Sequence, residues 1–291
     1  MAAGIAAPLL RRRLRLPVLA VTVASGAAPF ALCVALPRTR TRDVATCVLQ
    51  MWAYVAHYEM PNDDPERLRA RVHVHYPVRV DRVLGLGELP GVRLQRWFGR
   101  PGPLNRGEQV LVWCHWLWFL IPHGTVLYFL LCRRERFERA ALHTYAVFDL
   151  GLIGYWAVPT APPWYAAQQG AAPELRRMMF DHGEAFWKDR WGPMYGLLGG
   201  NPLAAMPSLH FATSVMAARL LAEEGRGHGA VGWTYAGTLG FALVYLGEHY
   251  LIDLLVGLGL AEGVRRAAGP AAPFLRSVGR GVQALERAAR G

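Results

Sequence analysis

Lysine is almost absent from this chain: Lys188 is the only one in 291 residues, and the rest of the 32 basic side chains are arginine. Charge as a whole is scarce, at 18% of residues against 53% apolar, where a soluble domain carries about 25% charged residues. With the apolar residues gathered in long blocks, this balance argues against a water-soluble globule and for burial in a bilayer. Cysteine is sparse too. Cys33, Cys47, Cys114 and Cys132 lie in apolar stretches with no C-x-x-C spacing, which supports neither a disulfide framework nor a zinc site; they read as small buried hydrophobes. There is no tandem repeat and no aromatic-basic module. The net charge of +11 is therefore not read as a nucleic-acid footprint. The arginines flank apolar segments instead (Arg11, Arg12, Arg13, Arg15; Arg133, Arg134, Arg136, Arg139; Arg265, Arg266), as topology signals and lipid-headgroup contacts do.

What is present is a series of apolar segments of bilayer-spanning length: 16–37, 109–132, 140–158, 203–222, 230–246 and 250–268. Only helices or closed barrels satisfy the backbone in lipid, so the expected fold is all-α, a polytopic integral membrane bundle of about six transmembrane helices. Segment 16–37 is too long for a signal-peptide core and reads as a retained first span. Segment 44–60 is weaker because it holds Gln50, His57 and Glu59; it reads as interfacial or re-entrant. The whole chain, 1–291, forms one membrane domain, with an Arg-rich interfacial connection at 61–108, a second connection at 159–202 and a basic tail at 269–291. Placing the short Arg133–Arg139 loop inside by the positive-inside rule also puts the N-terminus inside and both connections outside.

Three segments carry candidate chemistry. In Met206-Pro207-Ser208-Leu209-His210, Pro207 suits the first turn of a helix, whose free N–H groups and dipole favour a phosphate. Ser208 adds a hydroxyl and His210 a group that titrates near neutrality. In Glu248-His249-Tyr250-Leu251-Ile252-Asp253, His249 and Asp253 are four apart on one helix face. A carboxylate there holds one imidazole nitrogen and leaves the other free, as a nucleophilic histidine requires; an intramembrane acid needs such a partner. Tyr155 to Tyr165 holds Pro159, Pro162 and Pro163 and forms a rigid connector flanked by interfacial aromatics. His115, His123, His143 and Asp149 also lie in apolar segments and are read as interhelical hydrogen-bonding or cavity-lining groups, with no third ligand at metal-site spacing. The pair His73 and His75 is given no chemical role.

Pro207-Ser208-Leu209-His210 resembles the P-S-x-H motif of the type-2 phosphatidic acid phosphatase superfamily, and His249 to Asp253 its H-x-x-x-D motif. The Pro-rich segment and Glu248-His249-Tyr250 are more similar to its inositol phosphorylceramide synthase (aureobasidin-resistance) branch. The resemblance covers about 109–268, the expected catalytic core. It implies His249 as a nucleophile that becomes phosphohistidine, Asp253 as its orienting carboxylate, His210 as the general acid and base, and Ser208 as a phosphate ligand. It implies no metal and no cofactor, and a phospholipid or polyprenyl phosphate as substrate.

Two departures stand out. Pro159-Thr160-Ala161-Pro162-Pro163-Trp164 replaces the K-x-x-x-x-x-x-R-P pattern of the phosphatases, and Ala242-Leu243 falls where an S-R pair is expected. A transferring phosphoryl group still needs a cationic clamp. Arg176, Arg177, Lys188 and Arg190 in the second connection are the candidates. Transfer to a lipid or sugar hydroxyl, hydrolysis to a free alcohol, and a non-catalytic lipid-binding or transport role all remain open at this point.

Overall fold

The computed structural model describes residues 1–198 and 200–289; position 199 of the second connection and the tail's last two residues, 290–291, lie outside the described residues. The chain opens with α1 (Ala2–Leu10), α2 (Val18–Ala35) and α3 (Arg40–Glu59). The first connection folds into α4 (Pro65–Arg71), α5 (His75–Leu84) and α6 (Pro90–Phe98). Then come α7 (Arg106–Trp116), a tight turn at Leu117–Phe119, α8 (Leu120–Cys132) and α9 (Arg134–Ala157). The second connection holds α10 (Pro163–Gln168), α11 (Met178–Trp187) and α12 (Trp191–Leu198), ahead of α13 (Leu209–Ala222), α14 (Arg226–Tyr245) and α15 (Leu251–Ala288). Among the described residues there is no β-strand.

Local chemistry sets these boundaries. The Thr39 hydroxyl accepts the Arg42 N–H at 3.1 Å and caps α3. Asn105 and Glu108 form a reciprocal capping box that starts α7. Helix α9 ends at Ala157, two residues before Pro159, because a proline disfavours helical backbone in its predecessor, here Val158. Pro163 then sits in the first turn of α10, where its missing N–H costs nothing.

The core is built around α13, packed against α8, α9, α14 and α15. Phe148, Leu209, Met216, Leu239 and Leu243 are all at most 1% exposed, and burial of each contributes about 1.5–3 kcal/mol. Two glycines let the flanking helices close onto the start of α13. A Cβ at Gly154 of α9 would stand 2.6 Å from Pro207 Cδ, and one at Gly257 of α15 would stand 2.7 Å from the Ser208 carbonyl oxygen.

Two described segments, Val18–Ala35 and Arg106–Cys132, are long and apolar enough to cross a membrane. Leu19, Val23, Ile153 and Val231 each present more than 60% of their surface on the outside of the bundle. So large an apolar exterior is not sustained in water; this is a membrane protein.

Several expectations change. Segment 44–60 is a complete helix, α3, packed against α2 and α9. It returns the chain, so the N-terminal arginines lie beside the end of α3: Arg11 pairs with Glu59 at 2.9 Å and with Asp63 at 2.8 Å. They therefore sit at the same end as the first connection, and not with the Arg133–Arg139 loop. Segment 203–222 becomes helical only at Leu209, because the Ser208 side chain caps the helix and Pro207 stays outside it. The basic tail continues α15 as far as Ala288, held by a buried Arg42–Glu286 pair at 3.1 Å.

Candidate active site

Three stretches of chain that are far apart in sequence meet at one end of the bundle. His73 N–H donates to the Pro159 carbonyl at 2.9 Å, Ala161 N–H to His73 at 3.0 Å, and Ala205 N–H to Thr160 at 3.0 Å. The Pro-rich segment thus bridges the first connection and the approach to α13. His73 takes part through its backbone, while its ring packs edge-on against Tyr76 at 5.6 Å.

His210 occupies the first turn of α13. Helix α14 closes at Tyr245, and a turn through Gly247, at φ +82°, delivers Glu248 and His249 to the start of α15. A Cβ at Gly247 would meet the Arg176 carbonyl oxygen at 2.6 Å, so glycine is required both for the left-handed backbone and for the close packing of the second connection. The Ser208 N–H donates to the Asp253 carbonyl at 3.0 Å and ties the two helix starts together.

The side chains form a chain of contacts. Asp253 Oδ2 lies 3.1 Å from His249 Nδ1 and accepts the Tyr250 N–H at 3.0 Å. His249 Nε2 lies 3.2 Å from His210 Nδ1. Asp253 is fully buried and His249 is 6% exposed. With Asp253 ionised, this geometry fixes the protons. His249 donates from Nδ1 to the carboxylate, and its Nε2 lone pair accepts from His210 Nδ1–H.

These groups open into a cavity of about 370 Å³ lined by His210, His249, Glu248, Arg177 and a largely aromatic wall that includes Trp116 and Trp191. Of the four candidate cations, only Arg177 reaches it. Its Nε donates to Glu248 at 3.0 Å, its Nη2 to the Tyr195 hydroxyl at 2.5 Å, and the guanidinium stacks 3.8 Å from the centre of the Trp164 ring. Burial works to lower the Arg177 pKa, but Glu248 and Tyr195 together, through charge and hydrogen bonds, outweigh it and hold the guanidinium above its ordinary value. Arg176 turns away to Asp181 at 2.6 Å and the Gly102 carbonyl at 3.1 Å. Lys188 and Arg190 are exposed and off the cavity wall. Ser208 is fully buried, with its hydroxyl accepting the Phe211 N–H at 3.3 Å, so it acts here as a helix cap. Among the described residues no three His, Cys, Asp or Glu side chains cluster as metal ligands would.

Other residues hold the site from outside the motifs. Asp81 of α5 is 1% exposed and accepts the Leu251 and Ile252 N–H groups at 3.0 and 2.9 Å, capping the helix that carries Asp253. Burial pushes its carboxyl up to about 6. Gln95 of α6 donates to the Arg176 and Tyr245 carbonyls, both at 2.8 Å, and accepts the Arg176 N–H at 3.0 Å, which fixes the backbone next to Arg177. His115 lines the cavity with its ring 5.0 Å from that of His210. Asp81 had one faint signal in sequence, as the lone acid between Glu66 and Glu88 in an arginine-rich stretch.

A helical membrane protein with two histidines and a buried aspartate at the head of one cavity is the class that fold and site define. The PAP2 superfamily model matches residues 78–264, and the chain belongs to that superfamily. The match begins upstream of the core expected from the motifs and takes in Asp81. Over 157 residues the chain is 35% identical to the phosphoinositol dihydroceramide synthase of Bacteroides thetaiotaomicron, covering 50% of each chain. It therefore spans about half the length of the curated relative it matches. No solved structure matches.

Proposed function

We propose that this protein is a membrane-embedded lipid phosphotransferase that moves a phosphoryl-headgroup from a phospholipid to a hydroxyl acceptor through a phosphohistidine on His249. The observation that carries the reading is the Asp253–His249–His210 relay at the head of a cavity in which Arg177 is the one arginine among the described residues. The relative's name, a phosphoinositol dihydroceramide synthase, supports transfer over hydrolysis.

The steps follow from the proton positions. The His249 Nε2 lone pair attacks phosphorus, while Asp253 stabilises the positive charge that develops on the imidazole. The bond from phosphorus to the lipid alcohol breaks, and the leaving oxygen takes a proton from His210, which enters this step as the imidazolium and leaves it as the neutral base. His210 then accepts the proton of the incoming hydroxyl, whose oxygen attacks phosphorus, breaks the N–P bond and restores His249. The Arg177 guanidinium and the N-terminal end of α13 face the phosphoryl oxygens. The 3.2 Å contact between the imidazoles belongs to the unloaded pair; the bound phosphoryl group replaces it. With water as acceptor the same relay would run a phosphatase acting on a phosphatidate or polyprenyl phosphate.

The six-span reading extends to seven traverses: α2, α3, the broken α7–α8, α9, α13, α14 and α15. The short Arg133–Arg139 loop lies at the end opposite the cavity, which supports a site on the extracytoplasmic face of a multi-pass protein. The N-terminal arginines at the cavity end argue the other way. Labelling of a cysteine placed at Arg226, from each side of sealed vesicles, decides the orientation.

The functional test is direct. Purified protein incubated with phosphorus-labelled phospholipids should yield an acid-labile phosphoenzyme that is lost in His249→Ala. A labelled phosphoenzyme that persists in that variant removes the nucleophile assignment. If neither phosphoenzyme nor product forms with any phospholipid, the non-catalytic lipid-binding reading takes its place.

A further inference from the structure

Among the described residues that line the cavity, Arg177 is the one permanent cation and Glu248 the one carboxylate. They are paired at 3.0 Å, with side chains only 15% and 10% exposed. The arrangement is held from several sides. Trp164 and Tyr195 fix the guanidinium, Gln95 fixes the adjoining backbone, and Glu248 is anchored by its own N–H to the Leu243 carbonyl at 3.0 Å. The cation available for phosphate is therefore half neutralised before any substrate arrives.

The remaining donors around the cavity are neutral. The indole N–H groups of Trp116, Trp187 and Trp191 and the Asn201 amide are buried with no hydrogen-bond partner, and all four residues line the cavity. Asn201 is only 2% exposed. Such donors serve ester, hydroxyl and phosphoryl oxygens without adding charge. A phosphodiester brings one negative charge into this apolar site, whereas a phosphomonoester near neutral pH brings close to two. The second charge has no cation of its own and sits beside the Glu248 carboxylate, where low polarity magnifies the repulsion.

We propose that Glu248 is a specificity-determining residue that excludes doubly charged phosphomonoesters and reserves the site for singly charged phosphodiesters. This inference rests on the transferase reading above. It assigns to the residue next to the nucleophile a role in choosing substrate charge, apart from the relay itself.

The test compares kcat/KM for phosphatidylinositol and for phosphatidate, in wild type and Glu248→Gln, using full-length protein in liposomes at pH 7.5. The glutamine keeps the shape and a hydrogen-bond acceptor for Arg177 but removes the charge. The ratio of monoester to diester turnover should rise about tenfold or more. An unchanged ratio in an active variant overturns the proposal. Should that variant not fold, wild-type protein gives a second reading. Inhibition of phosphatidylinositol turnover by phosphatidate should weaken from pH 5.5 to 8 as the second phosphate proton leaves, relative to inhibition by a diester analogue; identical pH profiles for the two inhibitors overturn it. If wild type turns over neither lipid, the transferase reading falls by itself. Charge selection is then read from retained lipid by native mass spectrometry, where Glu248→Gln should gain phosphatidate over phosphatidylinositol and an unchanged lipid ratio overturns the proposal.

Discussion

The far end of the bundle and the interior of the cavity treat charge in opposite ways. At the end away from the cavity, arginines are matched by acids close to the surface: Arg133 and Arg136 with Glu224, Arg139 with Glu223, Arg134 with Asp43. Glu262 likewise takes Arg265 and Arg266. Inside the cavity one arginine shares one carboxylate, two histidines touch, and several buried donors have no partner. Exposed pairs of the first kind contribute about 0–1 kcal/mol each and hold loops together. Unpartnered buried donors cost stability, and a cluster of them around a cavity marks a place that a ligand completes. Matched surface charge thus marks structural regions, the rim of the cavity end included, where Arg11 pairs with Glu59 and Arg176 with Asp181, and incomplete satisfaction marks the functional one.

The contrast is sharpened most by His249→Ala, which should lower lipid turnover by about 10⁴-fold while circular dichroism shows the helices retained. Asp253→Asn is next. It keeps the shape but disturbs the imidazole tautomer, and a fall of about 10³-fold in product formation is expected; a wild-type rate breaks the relay. Arg177→Ala should reduce kcat by about 10²-fold through loss of phosphoryl stabilisation, read from single-turnover kinetics.

Asp81→Asn probes the support of the cavity end. Asparagine keeps one of the two oxygens that accept the Leu251 and Ile252 N–H groups, and loss of the other should cost about 1 kcal/mol in thermal unfolding and only a few-fold in rate. It also carries a pH signature. Because burial raises the Asp81 carboxyl from 3.8 to about 6 in the folded protein, folding favours its protonated form. Its contribution to stability is full below 3.8 and is lost as pH rises through about 6. The wild-type Tm should therefore decline over that window relative to Asp81→Asn. The smallest effect belongs to the far end: Arg139→Ala should leave turnover within about twofold and shift stability by less than about 1 kcal/mol. A large loss of activity there would erase the distinction between the ends.

Sequence and structure agree best where geometry is local. The His249–Asp253 pair follows from a spacing of four on a helix, and the start of α15 beside it was legible for the same reason. Ser208 shows the limit of a local motif. A serine before a helix can serve a phosphate or cap the helix, and here its hydroxyl accepts the Phe211 N–H. The 44–60 segment was obscured by Gln50, His57 and Glu59, each of which finds a partner in a neighbouring element: Asp149, Thr22 and Arg11.

By itself the sequence determined the membrane environment, the helical class and the His249–Asp253 pairing, because composition and short-range periodicity are properties of the chain wherever it runs. Only the tertiary structure decided that His210 meets His249 across a separation of 39 positions, that Arg177 reaches the cavity while Lys188 and Arg190 do not, and that Asp81 caps a helix 170 residues away. Those contacts depend on which ends of which helices the chain's reversals bring together, and the reversal at α3 was the one that hydropathy left ambiguous.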